Sequence, residues 1–171
     1  IPGSVGGALA MNAGSWGRSI LELTNKVRVL DYGGREIIIP KQKIKYSYRK
    51  SSLAKYIILG ADFKLKKNSP AAIGSSIKGY LKRRRASQDN SYPNAGCIFK
   101  NPPGESAGRL IDLCGLKGRT CGGALISPKH ANFILNAKGA GSADVLKLIQ
   151  LAKKMVKDKF NIKLCPEIKI W

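Results

Sequence analysis

The stretch Tyr92–Gly118, YPNAGCIFKNPPGESAGRLIDLCGLKG, gathers a reactive side chain, two polar ligand candidates and a helix start. Asn94, Ala95 and Gly96 read as a small-residue turn through which backbone can approach a ligand closely, and Cys97 follows at the head of the apolar pair Ile98 and Phe99. The thiol is therefore expected at a loop-to-strand corner. Lys100 and Asn101 add a point charge and an amide before Pro102, Pro103 and Gly104 stop any regular strand. Ser106 is expected to cap a helix whose apolar face is Ala107, Leu110, Ile111 and Cys114, with Gly115 in the C′ position. A turn, a thiol, a cation and a helix start within about ten residues suit a catalytic corner that handles anions. A loop with a buried cysteine accounts for the same residues, because a free Cys behaves as a small hydrophobe.

The whole chain has 171 residues, 43% of them hydrophobic and 24% charged, enough for one good core or two small ones. No apolar run approaches the roughly 20 residues of a spanning helix, and no secretory signal pattern opens the chain, so no membrane insertion is expected. It begins at Ile1, without Met and inside a glycine-rich motif, which leads us to expect a preceding N-terminal part. The net charge of 31 minus 10, or +21, points toward a polyanion. The lysines are spread along the chain, however, and only Lys82–Arg85 form a tight run, with no zinc-finger, RNP or helix-turn-helix spacing beside them. A solvated Lys-rich surface is the simpler reading, a basic nucleic-acid-binding module the competing one. The four cysteines, 97, 114, 121 and 165, include no C-x-x-C pair, and His130 stands alone, so no metal site is expected. Cys114 falls on an apolar helix face, and it and Cys121 are expected to be buried, reduced thiols of a cytosolic protein.

Outward from the central stretch, residues 1–17, IPGSVGGALAMNAGSWG, carry five glycines with Ser4, Asn12 and Ser15 among them and a helical turn expected at Ala8–Met11. Such loops present backbone N–H groups to phosphate or to the edge of a heterocycle, and equally serve as tight connections. Val27 and Val29 alternate with polar residues, Gly33-Gly34 turns, and Glu36–Ile39 returns, which predicts a hairpin. Tyr48-Arg49 precedes a strand over Tyr56–Leu65; a guanidinium fork beside an aromatic suits a carboxylate, though Arg49 is also one of many surface cations. Residues 72–86 predict a helix with Ile73, Ile77, Tyr80 and Leu81 on one face, and the polar run 87–94 a domain boundary. Short strands are expected at Ala124–Ile126 and Phe133–Leu135, then a helix, Ala143–Phe160, capped by Ser142. Ile162, Leu164, Ile168 and Ile170 alternate around Cys165-Pro166-Glu167 as a final strand, whose carboxylate is either an exposed edge residue or a buried functional acid.

Taken together, IPGSVGGALAMNAGSWG, YSYRKSS, the central stretch, GGALISPKHANFILNAKGAGSADVL and the ending CPEIKIW resemble the UDP-N-acetylenolpyruvoylglucosamine reductases, flavoenzymes of peptidoglycan precursor synthesis. The resemblance follows the family's motif order from Ile1 to Trp171. It implies an α+β fold: the rear part of an FAD-binding lobe over residues 1–90, a smaller substrate-binding lobe over 91–160, and a tail, 161–171, returning to the core. The segment that carries a further flavin-phosphate loop in the family would precede Ile1, so incomplete FAD binding by this stretch alone is expected, with a non-catalytic fragment as the alternative.

The implied reaction passes a hydride from NADPH to FAD and on to the enolpyruvyl double bond of a UDP-sugar, with a proton added to the neighbouring carbon. By motif position Arg49 takes the carboxylate and enolate charge, Cys97 donates the proton and Glu167 supports the carboxylate end as an acid. Tyr48, Lys100 and Asn101 are implied substrate contacts, and Gly3, Ser4, Gly6, Gly7 and Asn12 flavin contacts. Most of the family places Ser where Cys97 stands; a thiol titrating at about 8.5 still holds a proton at neutral pH. Asp89 stands where the family usually has Pro, and is expected to loosen the entry to the corner.

Overall fold

Ser4 starts the first element: its hydroxyl accepts the Gly7 amide at 3.0 Å and caps helix α1 (Val5–Ala10). The computed structural model describes residues 3–170; Ile1, Pro2 and Trp171, at the ends of the two terminal motifs, lie outside the described residues. The helix begins earlier than Ala8 because Ser4 supplies the cap and Leu9 is fully buried beneath it.

A two-strand ribbon, β1 (Gly14–Ser15) and β2 (Arg18–Ser19), runs into the short helix α2 (Ile20–Leu23). The predicted hairpin follows as β3 (Thr24–Leu30) and β4 (Glu36–Pro40), and its turn is tied by Asp31, whose Oδ1 accepts from the Gly33 and Arg35 amides. A second ribbon, β5 (Tyr46–Ser47) and β6 (Lys50–Ser51), carries Tyr48 and Arg49 at its tip. The expected strand over 56–65 is β7 (Ile57–Phe63), antiparallel to β3, so the sheet order is β4-β3-β7. Val27 and Val29 face inward onto Leu9, Leu21, Ile44 and Leu53, the core of this part.

After Asn68 the contacts of the chain close into a second unit with its own core. Its first element is α3 (Pro70–Ser87), capped by Ser69 with Pro70 in the first turn. The stretch read as a domain boundary, 87–94, lies inside this unit, after α3. Ile73, Ile77, Tyr80 and Leu81 share a helix face as predicted, but all four are exposed. The remaining elements are β8 (Asn94–Cys97), α4 (Ala107–Leu113), β9 (Thr120–Cys121), β10 (Ala124–Ile126), β11 (Phe133–Asn136) and α5 (Ser142–Phe160). The four strands form an antiparallel sheet in the order β8-β11-β10-β9, and the fold is α+β.

Helix α4 has the predicted caps: Ser106 Oγ accepts the Arg109 amide, and Gly115, at φ 69°, lets its own N–H reach Asp112 O and the Leu116 N–H reach Ile111 O. Helix α5 corrects the sequence reading by one residue, since Gly141 is the cap and Ser142 already helical. Asp144 is the reason. Its Oδ2 accepts the Gly141 amide at 3.1 Å and the Gly123 amide at 3.3 Å, fastening the helix start to the turn between β9 and β10. Leu148, Ile149, Ala152 and Val156 of α5 and Leu110 and Ile111 of α4 build the core together with Phe99, Ile126 and Leu164.

That fastening leaves no room at Gly123. A Cβ there would stand 2.5 Å from Lys138 O and 2.6 Å from the Ala140 nitrogen, both backbone. Gly123→Ala is therefore expected to lower stability by about 2 kcal/mol in urea unfolding. Gly79→Ala, in mid-α3 with nothing within 4 Å, is expected to be neutral or stabilising by about 0.5 to 1 kcal/mol. Equal midpoints for wild type and Gly123→Ala would contradict the close approach.

Candidate functional site

Cys97 closes β8 rather than opening a strand. The expected turn at Asn94–Gly96 is a bulge: Asn94 faces Leu135 and Cys97 faces Phe133, so one extra residue is accommodated on the β8 side, with Gly96 at φ 76°. Glycine permits that conformation, and Asn94 Oδ1 holds the Gly96 amide at 3.0 Å.

Beyond Cys97 the chain runs between two different partners. On one side is Asn132: its carbonyl accepts the Ile98 amide at 2.9 Å, its Oδ1 accepts the Phe99 amide at 2.9 Å, and its Nδ2 donates to Phe99 O at 2.8 Å. On the other is the C-terminal tail, where the Glu167 amide donates to Ile98 O at 2.8 Å and the Lys100 amide to Cys165 O at 2.9 Å. The backbone of Glu167 thus lies beside the Ile98–Phe99 peptide, one residue past Cys97, although Glu167 and Cys97 are far apart in sequence. The final strand predicted from the tail's alternation is reduced to a single antiparallel bridge, Phe99 with Pro166, flanked by those two bonds. Leu164 is buried as the alternation required.

Lys100 and Asn101 follow directly. Lys100 is half-buried, and Asn101 Oδ1 accepts the Ala107 amide at 3.0 Å, so this residue, read as a ligand contact, also caps α4 beside Ser106. Glu105 and Arg109 close the same turn with a bidentate pair at 2.7 Å. Cys97, Lys100, Asn101 and Glu167 are therefore all members of one corner of the second unit.

The other candidates belong to the first unit. Arg49 sits at φ 53°, an uncommon conformation for a long side chain. Its guanidinium lies 5.1 Å from the centroid of the Tyr48 ring and donates from Nη2 to Gly14 O at 3.0 Å. Asn12 ties the same two segments: its Nδ2 donates to Ser47 O at 3.0 Å and its Oδ1 accepts the Leu21 amide at 3.4 Å. The glycine-rich loop and the Tyr48-Arg49 tip are thereby joined.

The fit of that loop to a cofactor differs from residue to residue. Gly3, Ser4 and Gly7 are exposed, Gly3 at φ 128° has nothing within 4 Å of a would-be Cβ, and a Cβ on Gly6 would touch only Ile58. Ser4 already takes the Gly7 amide, so it is the bare backbone before it, at Gly3 to Gly6, that suits a planar or phosphate-bearing group. Asn12 does not suit it as a side-chain contact, being 5% exposed and engaged at both ends of its amide. Its part is to shape the loop. Trp16, exposed at φ 50° on the β1–β2 tip, carries no signal in a stretch read for its glycines and small polar residues.

Asp89 corrects another expectation. Far from loosening the corner, it is buried; its Oδ2 accepts from Ser127 Oγ at 2.5 Å, and its Oδ1 from Ser91 Oγ at 2.6 Å and the Ser91 amide at 3.1 Å. Those donors, Ser127 first, hold its carboxyl below the ordinary 3.8. Ser127 Oγ in turn accepts the Lys129 and His130 amides. Burial keeps His130 neutral by pushing its pKa below 6.5, which preserves Nδ1 as an acceptor for the Asn132 amide at 3.3 Å. Cys114 and Cys121 are half-buried rather than buried and Cys165 is exposed, so alkylation reports on Cys97 only when those three are replaced. Burial raises the Cys114 thiol pKa.

Residues 88–171 match the model of the C-terminal domain of UDP-N-acetylenolpyruvoylglucosamine reductase. Curated proteins of that name align along 99% of the chain, at 44% identity in Caldanaerobacter subterraneus subsp. tengcongensis and 48% in Chloroherpeton thalassium. The chain spans 57% of the length of each. A crystal structure of UDP-N-acetylenolpyruvylglucosamine reductase from Thermus caldophilus superposes on all of the chain and 61% of its own, at 36% identity and TM-score 0.87.

The Asp89 cluster makes a pH-dependent prediction. A depressed folded pKa contributes stability above the unfolded value, lost as pH falls through the folded one. Asp89→Asn is expected to cost about 1 to 3 kcal/mol at neutral pH, with the gap to wild type closing below about pH 4. A gap independent of pH in denaturant unfolding would contradict the carboxylate's role.

Proposed function

Because this chain belongs to the UDP-N-acetylenolpyruvoylglucosamine reductase family, we propose that it reduces the enolpyruvyl double bond of UDP-N-acetylenolpyruvoylglucosamine to give UDP-N-acetylmuramate, with NADPH and FAD, in peptidoglycan precursor synthesis. Residues 1–90 are then the rear of the FAD-binding domain, 91–160 the substrate-binding domain and 161–171 a tail that returns to the reacting centre. A nucleotide-sugar substrate, NADPH and reduced thiols put the work in the cytoplasm. The observation that supports the reading is the pairing of Glu167 N–H with Ile98 O, which sets the backbone of one implied acid against the residue next to the other.

FAD, when bound, supplies the hydride between NADPH and substrate. Gly3, Ser4, Gly6 and Gly7 would hold it through backbone and hydroxyl groups, with Asn12 setting the loop behind them. Hydride addition to one alkene carbon leaves negative charge on its neighbour and on the carboxylate conjugated to it. Arg49 meets that charge as a rigid cation. Cys97 releases its Sγ proton to the carbon, completing the saturated ether, and Glu167 stands by the carboxylate end as an acid. Tyr48, Lys100 and Asn101 orient the substrate, and the chain's net charge of +21 favours approach of its diphosphate.

Two substitutions in the intact gene product test the assignment. With Cys97→Ser the enzyme is expected to stay active. With Cys97→Ala NADPH should still reduce the flavin while reoxidation by substrate stalls, since only that half-reaction consumes the proton. Stopped-flow reoxidation by the Ala variant at the wild-type rate would remove Cys97 from the chemistry. Arg49→Lys keeps the charge without the fork, and its turnover is expected to fall by at least about tenfold, far more than its stability falls, each lost charge-assisted contact costing about 1.5 to 3 kcal/mol. Unaltered turnover would make Arg49 an ordinary surface cation.

A further inference from the structure

We propose that Asn132 is a positioning residue for proton transfer: its carboxamide holds the Phe99 peptide and so sets where Cys97 and Glu167 stand. The proposal rests on the reductase reading above. Asn132 is 2% exposed, and its side chain makes both bonds that a neighbouring strand would otherwise make to Phe99, accepting from the N–H at 2.9 Å and donating to the carbonyl at 2.8 Å. Its own backbone is pinned as well, the N–H on His130 Nδ1 at 3.3 Å and the carbonyl by the Ile98 amide at 2.9 Å. Behind His130 stands Ser127, which accepts the His130 amide and donates to Asp89.

Phe99 lies two residues past Cys97, and the carbonyl of Ile98 between them receives the Glu167 amide. One peptide therefore locates both groups. A carboxamide suits the task because it offers a donor and an acceptor in one plane; an ionised carboxylate offers only acceptors and an alkyl group neither. Displacement of reacting groups by about 1 Å costs on the order of a hundredfold in rate, so this clamp bears on the rate itself and not only on folding.

Asn132→Asp separates the two roles. Its protonated carboxyl has the shape of the carboxamide, with an O–H for Phe99 O and a carbonyl for the Phe99 N–H, whereas its ionised form turns a second acceptor on Phe99 O. Flavin reoxidation by substrate, counted per folded molecule and relative to wild type at the same pH, is expected to recover about tenfold from about pH 8 to about pH 5, while NADPH reduction stays within about twofold. Asn132→Leu is expected to stay at least about tenfold slow throughout, without recovery. Independently of activity, hydrogen exchange in Asn132→Leu should quicken at the Phe99, Lys100 and Glu167 amides by at least about tenfold while β3 keeps its protection. Folded variants that reoxidise within twofold of wild type, an Asp profile parallel to the Leu profile, or unchanged protection at Phe99 and Glu167 would each overturn the proposal. A wild type unable to reduce the substrate overturns the reductase reading together with this one; an active wild type with indifferent Asn132 variants overturns this one alone. If Asn132→Leu does not fold, the Asn132→Asp profile decides.

Discussion

A buried residue must find partners for its backbone N–H and C=O, and at Phe99 both come from the side chain of Asn132. The sheet of the second unit ends its regular pairing at Cys97, and the tail brings only one bridge. Phe99 is 2% exposed, so without the carboxamide its own N–H and C=O would be left unsatisfied at a cost of about 1 to 3 kcal/mol for each group. The corner that holds Cys97, Lys100, Asn101 and the tail with Glu167 depends on that substitution of side chain for strand. Among the described residues no buried side-chain nitrogen or oxygen lacks a partner, which is what such a polar interior requires.

The first unit uses the same device in another setting. Asn12, at φ 50° and buried, reaches Ser47 O and the Leu21 amide, and Arg49 reaches Gly14 O from a left-handed backbone. These bonds cross between segments that no sheet joins. They hold a bare glycine loop beside an aromatic and a guanidinium, the combination that a cofactor and a carboxylate-bearing substrate ask for.

What could be read from the residues was whatever they encode locally. The α4 caps, the β3–β4 hairpin and the apolar faces of α4 and α5 follow from spacing and from Ser, Gly and Val chemistry, and they are present. Errors arose wherever a distant partner decided. Ser142 lost the cap to Gly141 because Asp144 bonds to Gly123 across the sheet end, and Gly96 turned a local loop into a bulge because β11 lies alongside. Asp89 was misjudged for a similar reason, since Ser127, its main partner, is remote in sequence. Asn132 stood in plain view between Ala131 and Phe133, and its only signal was a polar residue in an otherwise apolar run. The family was legible through the motifs, since relatives of that name align along 99% of the chain; the bracing behind those motifs was not.

The proposed mechanism stands or falls on whether Cys97 gives its proton to the enolpyruvyl group of the substrate. A crystal structure of the intact gene product with FAD and UDP-N-acetylenolpyruvoylglucosamine measures this directly. The expected result is the enolpyruvyl carbon within reach of Cys97 Sγ, its carboxylate on the Arg49 guanidinium, and the Asn132 bonds to Phe99 intact. A substrate seated away from both residues, or a Cys97 side chain turned into the core with substrate bound, would contradict the account.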